Sequence, residues 1–241
     1  MKIFVISPIL PPEGEDYREQ YRRRDSAQIP AEFSFAYIDK GPRFIQNAYD
    51  DACAAPDLIR KIQAAEQDGA DAVVINCSAD TALRACREAV SIPVIGPSEC
   101  TMLYASQLVD TFTVLTFAKR INGRFYRIAQ ELGLSHRLAA VESVEMDFDD
   151  ISNGQDKVVD KLYETIRAIH DRTGCDGYIL GCTDFEDVAP QLSKRLKDGG
   201  VDVILFKPYE IAAWQAYITA KMGLRQGSAS YPKPLFPISD E

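Results

Sequence analysis

Short runs of β-branched and apolar residues alternate along the chain with longer stretches whose apolar positions recur every three or four residues. That alternation is the pattern of a parallel sheet covered by helices, because runs such as Ala72-Val73-Val74-Ile75 are apolar on both faces and must be buried on both. The spacing predicts strands over about 2–7, 33–38, 71–76, 92–95, 112–116, 138–144, 176–181 and 201–206. It predicts helices over about Ala55–Asp68, Ala79–Ala89, Glu99–Gln107, Lys119–Leu132, Gly154–Thr173, Glu186–Lys197 and Tyr209–Met222. Pro56 and Pro190 fall where a first helical turn tolerates proline.

The second half of the pattern echoes the first. Lys2-Ile3-Phe4-Val5-Ile6-Ser7 corresponds to Thr111-Phe112-Thr113-Val114-Leu115-Thr116, and the segment from Asp71 to Asp80 corresponds to that from Asp176 to Phe185. Pro97-Ser98-Glu99 corresponds to Pro208-Tyr209-Glu210. Buried strands draw on few residue types, so one such match carries little; three in order, at nearly equal offsets, favour a duplicated α/β lobe.

The echo places one cysteine at the carboxyl end of a buried strand in each half. Cys77 precedes Ser78 and Asp80; Cys182 precedes Thr183 and Asp184. Ligands of open α/β sheets bind at that edge, and a helix starting just beyond each cysteine would favour thiolate over thiol. If the lobes are related by a pseudo-two-fold axis, the two sulfurs face each other across the cleft, the geometry of an acid and a base on opposite faces of one carbon. A single cysteine at a strand end is more often a packing residue; two at equivalent places favour function. Cys53, Cys86, Cys100 and Cys175 have no such counterpart and are expected to pack. Ser7, Ser78, Thr116 and Thr183 end strands on the cleft edge and are candidate donors to a carbonyl that gathers charge. Asp80 and Asp184 are candidates to orient substrate, while Glu99 and Glu210 fit helix first-turn acidity equally well. His136 and His170 lie far from either cysteine in sequence, so no Cys-His dyad is expected.

Composition narrows the partners. Thirty-six acidic against 27 basic side chains give a net charge of −9, which disfavours contact with nucleic acid or an anionic membrane. No apolar run approaches the roughly 20 residues that span a bilayer, and the first residues read as a strand rather than a secretory signal. A cytoplasmic address with six free thiols follows. No CxxC pair suggests a metal site, and a small-molecule substrate is the expected partner.

Several segments together resemble the hydantoin racemase group of the aspartate/glutamate racemase superfamily. In the first half these are Gly41-Pro42, Tyr49-Asp50, Ala54-Ala55-Pro56, Gly69 to Ile75 with Cys77, and Ile92-Pro93-Val94-Ile95-Gly96 leading to Glu99. In the second they are Val114-Leu115-Thr116 with Arg120, Leu180-Gly181-Cys182, Met222-Gly223-Leu224-Arg225 and Tyr231-Pro232-Lys233-Pro234. The resemblance implies two Rossmann-like lobes, no cofactor, an assembly of like subunits, and a proton exchanged at a stereocentre by Cys77 and Cys182. The implied division puts 1–108 and 205–225 in a first lobe with a returning C-terminal helix, 109–204 in the second, and 226–241 in an extended arm. The chain departs from the group at Ser7-Pro8-Ile9-Leu10, where Asn-Pro-Asn-Thr is usual, and at Cys77-Ser78-Ala79-Asp80-Thr81. Thr183-Asp184-Phe185 replaces Ala-Gly-Met and is closer to the Gly-Cys-Thr motif of amino-acid racemases. These departures fall in substrate-facing loops, so the expected substrate is a 5-substituted hydantoin or a related small amide or amino acid. A superfamily decarboxylase or cis–trans isomerase, an idle ligand-binding protein, and a redox pair formed by the two cysteines are the competing readings. The arginine run Arg18, Arg22, Arg23, Arg24 reads as a solvated helix face balancing Glu13, Glu15, Asp16 and Glu19, ahead of a cover over the cleft that draws in an anionic substrate or a contact with a neighbouring subunit.

Overall fold

The computed structural model describes residues 1–12, 17–146 and 155–235; Glu13, Glu15 and Asp16 lie outside them, as does the end of the arm from 236 onward. The described elements are β1 (Lys2–Ser7), α1 (Tyr17–Ser26), β2 (Glu32–Tyr37), α2 (Ala48–Gln67), β3 (Ala72–Ile75), α3 (Leu83–Ala89), β4 (Val94–Ile95) and α4 (Pro97–Ala105). There follow β5 (Phe112–Thr116), α5 (Asn122–Glu131), β6 (Leu138–Ser143), α6 (Gln155–Thr173), β7 (Gly177–Leu180), α7 (Ala189–Asp198), β8 (Ile204–Phe206) and α8 (Pro208–Lys221). They form two sheets of the same order, β2-β1-β3-β4 and β6-β5-β7-β8, with every pairing parallel. Each sheet is thus one α/β lobe, and the duplication read from the sequence is a duplication of topology. In both lobes the strand order reverses beside the first strand, the place where a crevice opens at the carboxyl ends.

Every residue of β3 and β7 is buried, which explains their continuous apolar runs. Helix α8 follows the second sheet in sequence but packs on the first: Ala212, Ala213 and Ala216, all fully buried, lie in one cluster with Ile3, Val5, Ala72, Val74 and Ile95. Three alanines on one stripe let the helix axis approach the sheet closely. Helix α4 packs along α8 and against α5 and β7 of the second lobe. The two helices that start at the echoed prolines therefore tie the lobes together.

Each of these helices begins on a buried carboxylate. Asp80 accepts from the N–H groups of Ser98 (2.9 Å) and Glu99 (2.7 Å), and Glu186 accepts from those of Tyr209 (2.6 Å) and Glu210 (3.3 Å). Both prolines sit in the first helical turn, so they remove one orphan donor and the carboxylate takes the next two. Burial pushes Asp80 up to about 7 and Glu186 up to about 8, against the pull of the amides.

Two helix starts in the first lobe differ from the sequence reading. Helix α2 begins at Ala48 because Asn47 accepts from the N–H groups of Tyr49 (2.8 Å) and Asp50 (3.0 Å), and Pro56 consequently lies inside the helix. The segment after Cys77 is a turn with Asp80 and Ala82 in the left-handed region (φ 50° and 47°), and α3 starts only at Leu83. Pro190 does fall in the first turn of α7. Beyond α8 the chain runs back over the first lobe: Arg84 donates to the Ser230 carbonyl (3.1 Å) and, with Arg87, lies over the Tyr231 ring. With its amide turned to satisfy both partners, Gln226 donates to the Ile92 carbonyl (3.1 Å) and accepts from Val94 N–H (3.2 Å) on the outer edge of β4.

Two outcomes follow. A Cβ on Gly181 would lie 2.7 Å from the Leu115 carbonyl oxygen and from Val114 Cγ1, so Gly181→Ala is expected to lower stability by about 1–3 kcal/mol, read as a lower urea midpoint at unchanged slope. Asp80 and Glu186 have raised carboxyls, so their contribution to stability is complete below the unfolded value near pH 4 and is lost as pH rises through about 7–8. Asp80→Asn with Glu186→Gln should flatten the fall in unfolding free energy between pH 5 and pH 8; an unchanged slope would remove these groups as its source.

Candidate active site

Ser7 ends β1, Cys77 stands two residues beyond β3, and Cys182 two residues beyond β7. These carboxyl-end positions meet in one cleft, lined by Cys77 and Cys182 together with Ser7, Ser78, Thr183 and Asp184. Apolar side chains from both lobes, Ile9, Phe44 and Ile45 on one side and Phe117, Ile121 and Phe125 on the other, complete the walls.

Two expected residues are elsewhere. The Thr116 hydroxyl is fully buried and donates to Asn122 Oδ1 at 2.5 Å, bracing the start of α5, and Thr116 is not among the residues lining the cleft. Asp80 lies behind the Cys77 turn, engaged with the α4 amides. Its counterpart is Glu186 and not Asp184, because the second turn carries one more residue between cysteine and cap. Glu99 and Glu210 are held by Arg87 (2.7 Å) and Lys207 (2.5 Å), away from the cleft lining.

The polar wall of the first lobe is donor-rich. Ser7 Oγ accepts from Arg22 Nη1 (3.1 Å) and Asn76 Nδ2 (3.2 Å). With both lone pairs so engaged, its O–H proton is left to donate. Asn76 Oδ1 and Ser78 Oγ are buried without a hydrogen-bond partner among the described residues, an arrangement that marks a site awaiting a polar ligand. Asn76 stands directly before Cys77 in the sequence, yet nothing in its spacing distinguishes it. Arg22 departs from the solvated face expected of its run: it is 1% exposed, lines the cleft and also donates to the Tyr37 hydroxyl (3.2 Å). A charge run gives no sign of which of its members turns inward.

Cys77 rests as a thiol. Burial pushes it up to about 11, the Thr81 hydroxyl and the Ala79 amide pull it back, and the Asp51 and Asp80 carboxyls push it further. The expected helix dipole is absent because the chain turns for several residues before α3 begins. Cys182 leads into a 3₁₀ turn over Thr183–Val188. Cys86 and Cys175 are buried packing residues and Cys100 is partly buried, whereas Cys53 is exposed and fills no core position. His170 caps a turn through Nδ1 and the Cys175 carbonyl (2.9 Å). Among the described residues no cluster of side chains suited to a metal ion occurs, and no helix is long and apolar enough to cross a membrane.

Comparison with known proteins agrees with this geometry. The hydantoin racemase of Pseudomonas sp. (strain NS671) is 28% identical over 207 residues, covering 85% of this chain and 80% of that protein. The hydantoin racemase of Paenarthrobacter aurescens is 28% identical over 197 residues, 81% of each. Among solved structures, allantoin racemase from Klebsiella pneumoniae superposes with a TM-score of 0.87 at 22% identity, over 100% of this chain and 96% of that one, which extends the shared fold to the whole length. Residues 16–216 match the Asp/Glu/Hydantoin racemase family, and the chain belongs to that family.

Proposed function

We propose that this racemase inverts a carbon next to a carbonyl by passing its proton between Cys77 and Cys182, with no cofactor. The observation that carries the reading is that both thiols line one cleft, each from the carboxyl end of an equivalent strand in its own lobe. One thiolate removes the α-proton, the electron pair moves onto the carbonyl oxygen, and the opposite thiol delivers a proton to the other face. The two sulfurs end with exchanged protonation states. Each sulfur is the acid for one enantiomer and the base for the other, and burial holds Cys77 toward the thiol.

The substrate class we infer is a 5-substituted hydantoin or a related small amide. The spare Ser7 O–H and the unpartnered Ser78 hydroxyl suit a carbonyl that gathers charge. The unpartnered Asn76 Oδ1 suits an N–H beside it, and the phenylalanine walls suit a 5-substituent. Thr183 and Asp184 complete the contacts from the second lobe. Assembly into an oligomer and a cytoplasmic address belong to the same reading.

The test is incubation in heavy water with single enantiomers of 5-substituted hydantoins, allantoin, aspartate and glutamate, following α-proton loss by NMR alongside optical rotation. Exchange with inversion on a hydantoin or allantoin is expected. Cys77→Ser and Cys182→Ser should each lower kcat by about 10³-fold or more, the scale of losing a positioned acid or base. Inversion that survives either substitution would exclude the two-thiol mechanism. No exchange on the whole panel would favour a superfamily decarboxylase or cis–trans isomerase.

A further inference from the structure

The turn that carries Cys77 is held from the opposite lobe. Arg124, on α5 after the first strand of the second sheet, reaches across and donates from Nε to the Ala79 carbonyl (2.7 Å) and from Nη2 to the Asp80 carbonyl (3.0 Å). The guanidinium is a rigid planar fork, so gripping two successive carbonyls fixes both the position and the tilt of the peptide between them. That peptide lies two residues from the thiol, in a turn whose Asp80 and Ala82 are left-handed and which has no helix of its own to hold it before Leu83.

The second anchor of the same turn is the Asp80 side chain on the N–H groups of Ser98 and Glu99. Those amides begin α4, which packs against α5 and β7. The arginine fork ties the Cys77 turn to the lobe that carries Cys182, while the Asp80 anchor ties it to α4, the helix that packs on both lobes. For a proton to pass through one carbon, it is the spacing of the two sulfurs across the lobes that must be fixed. The Cys182 turn has a looser tether of the same kind: Arg24 on α1 reaches Asp187 at 3.4 Å, with the arginine half exposed.

We propose that Arg124 is a positioning residue for Cys77: through the Ala79 and Asp80 carbonyls it holds the Cys77 turn at a fixed place relative to the Cys182 lobe. Arg124 is absent from the cleft lining, so it acts through the turn and not by touching substrate. The fork also keeps the turn packed, and with it the burial that is the main reason Cys77 is held as a thiol. Releasing it exposes the sulfur to water and lets the thiolate form more readily.

This inference rests on the two-thiol reading, and the test separates the two. Full-length Arg124→Met and Arg124→Lys are compared with the unsubstituted protein in racemase kinetics and in alkylation by iodoacetamide, with Cys77 and Cys182 quantified separately by peptide mass spectrometry. For Arg124→Met, kcat is expected to fall by about 10-fold or more with KM within about twofold, the signature of misplacement. The alkylation rate of Cys77 should rise at least about threefold relative to Cys182, since a free thiol titrates near 8.5. Arg124→Lys, a point donor that cannot span both carbonyls, should be intermediate in both measurements; it carries the test if the methionine variant fails to fold. A kcat within about twofold of the unsubstituted value, or an unchanged Cys77-to-Cys182 labelling ratio, overturns the proposal. If the unsubstituted protein inverts none of the panel, the racemase reading fails, while the labelling ratio still decides the role of Arg124.

Discussion

Two buried carboxylates, each closing the amino end of a helix that crosses between lobes, are what the rest of the molecule depends on. A helix N-terminus sunk in protein leaves N–H groups that water cannot reach, and Asp80 and Glu186 supply the acceptors. Without them the first amides of α4 and α8 would be buried with no acceptor. With them, the sheet of the first lobe is covered by a helix from the end of the chain. The cysteine turns are part of the same arrangement, since each acidic cap lies within four residues of its cysteine.

The cost of the arrangement is that both acids are driven toward neutrality, and the thiol beside Asp80 is driven up. Burial is the largest of the influences that hold the Cys77 thiol up, and the Asp51 and Asp80 carboxyls add to it. Ser7, Asn76 and Ser78 make one wall of the cleft polar, and phenylalanines from both lobes make the rest apolar.

Much of this was legible in the sequence because strand burial writes itself as apolar runs. The β3 and β7 segments, fully buried, announced both their own places and the cysteines at their ends. What was illegible depended on single contacts. Asn47 starts α2 well before its apolar periodicity begins, which moved Pro56 from a first turn to an interior. Glu186 was hidden by one extra residue in its turn, so that Asp184 looked like the partner of Asp80. Arg22 and Arg124 are arginines among many, and only the fold decides that one turns into the cleft and the other grips the Cys77 turn. Thr116 ends its strand as Ser7 does, yet its hydroxyl is spent on Asn122.

The arm beyond α8 bears on the molecule's behaviour in a crowd rather than on its chemistry. Strand β4 is one of the two outer strands of the first sheet, and an outer strand offers its unpaired peptide groups to any extended chain that comes near. The Gln226 side-chain amide mimics a peptide there, occupying the Ile92 carbonyl and the Val94 N–H. Two arginines clasping Tyr231 keep the arm in place. The protein thus closes this stretch of the β4 edge with a side chain, so that a neighbouring strand cannot pair there.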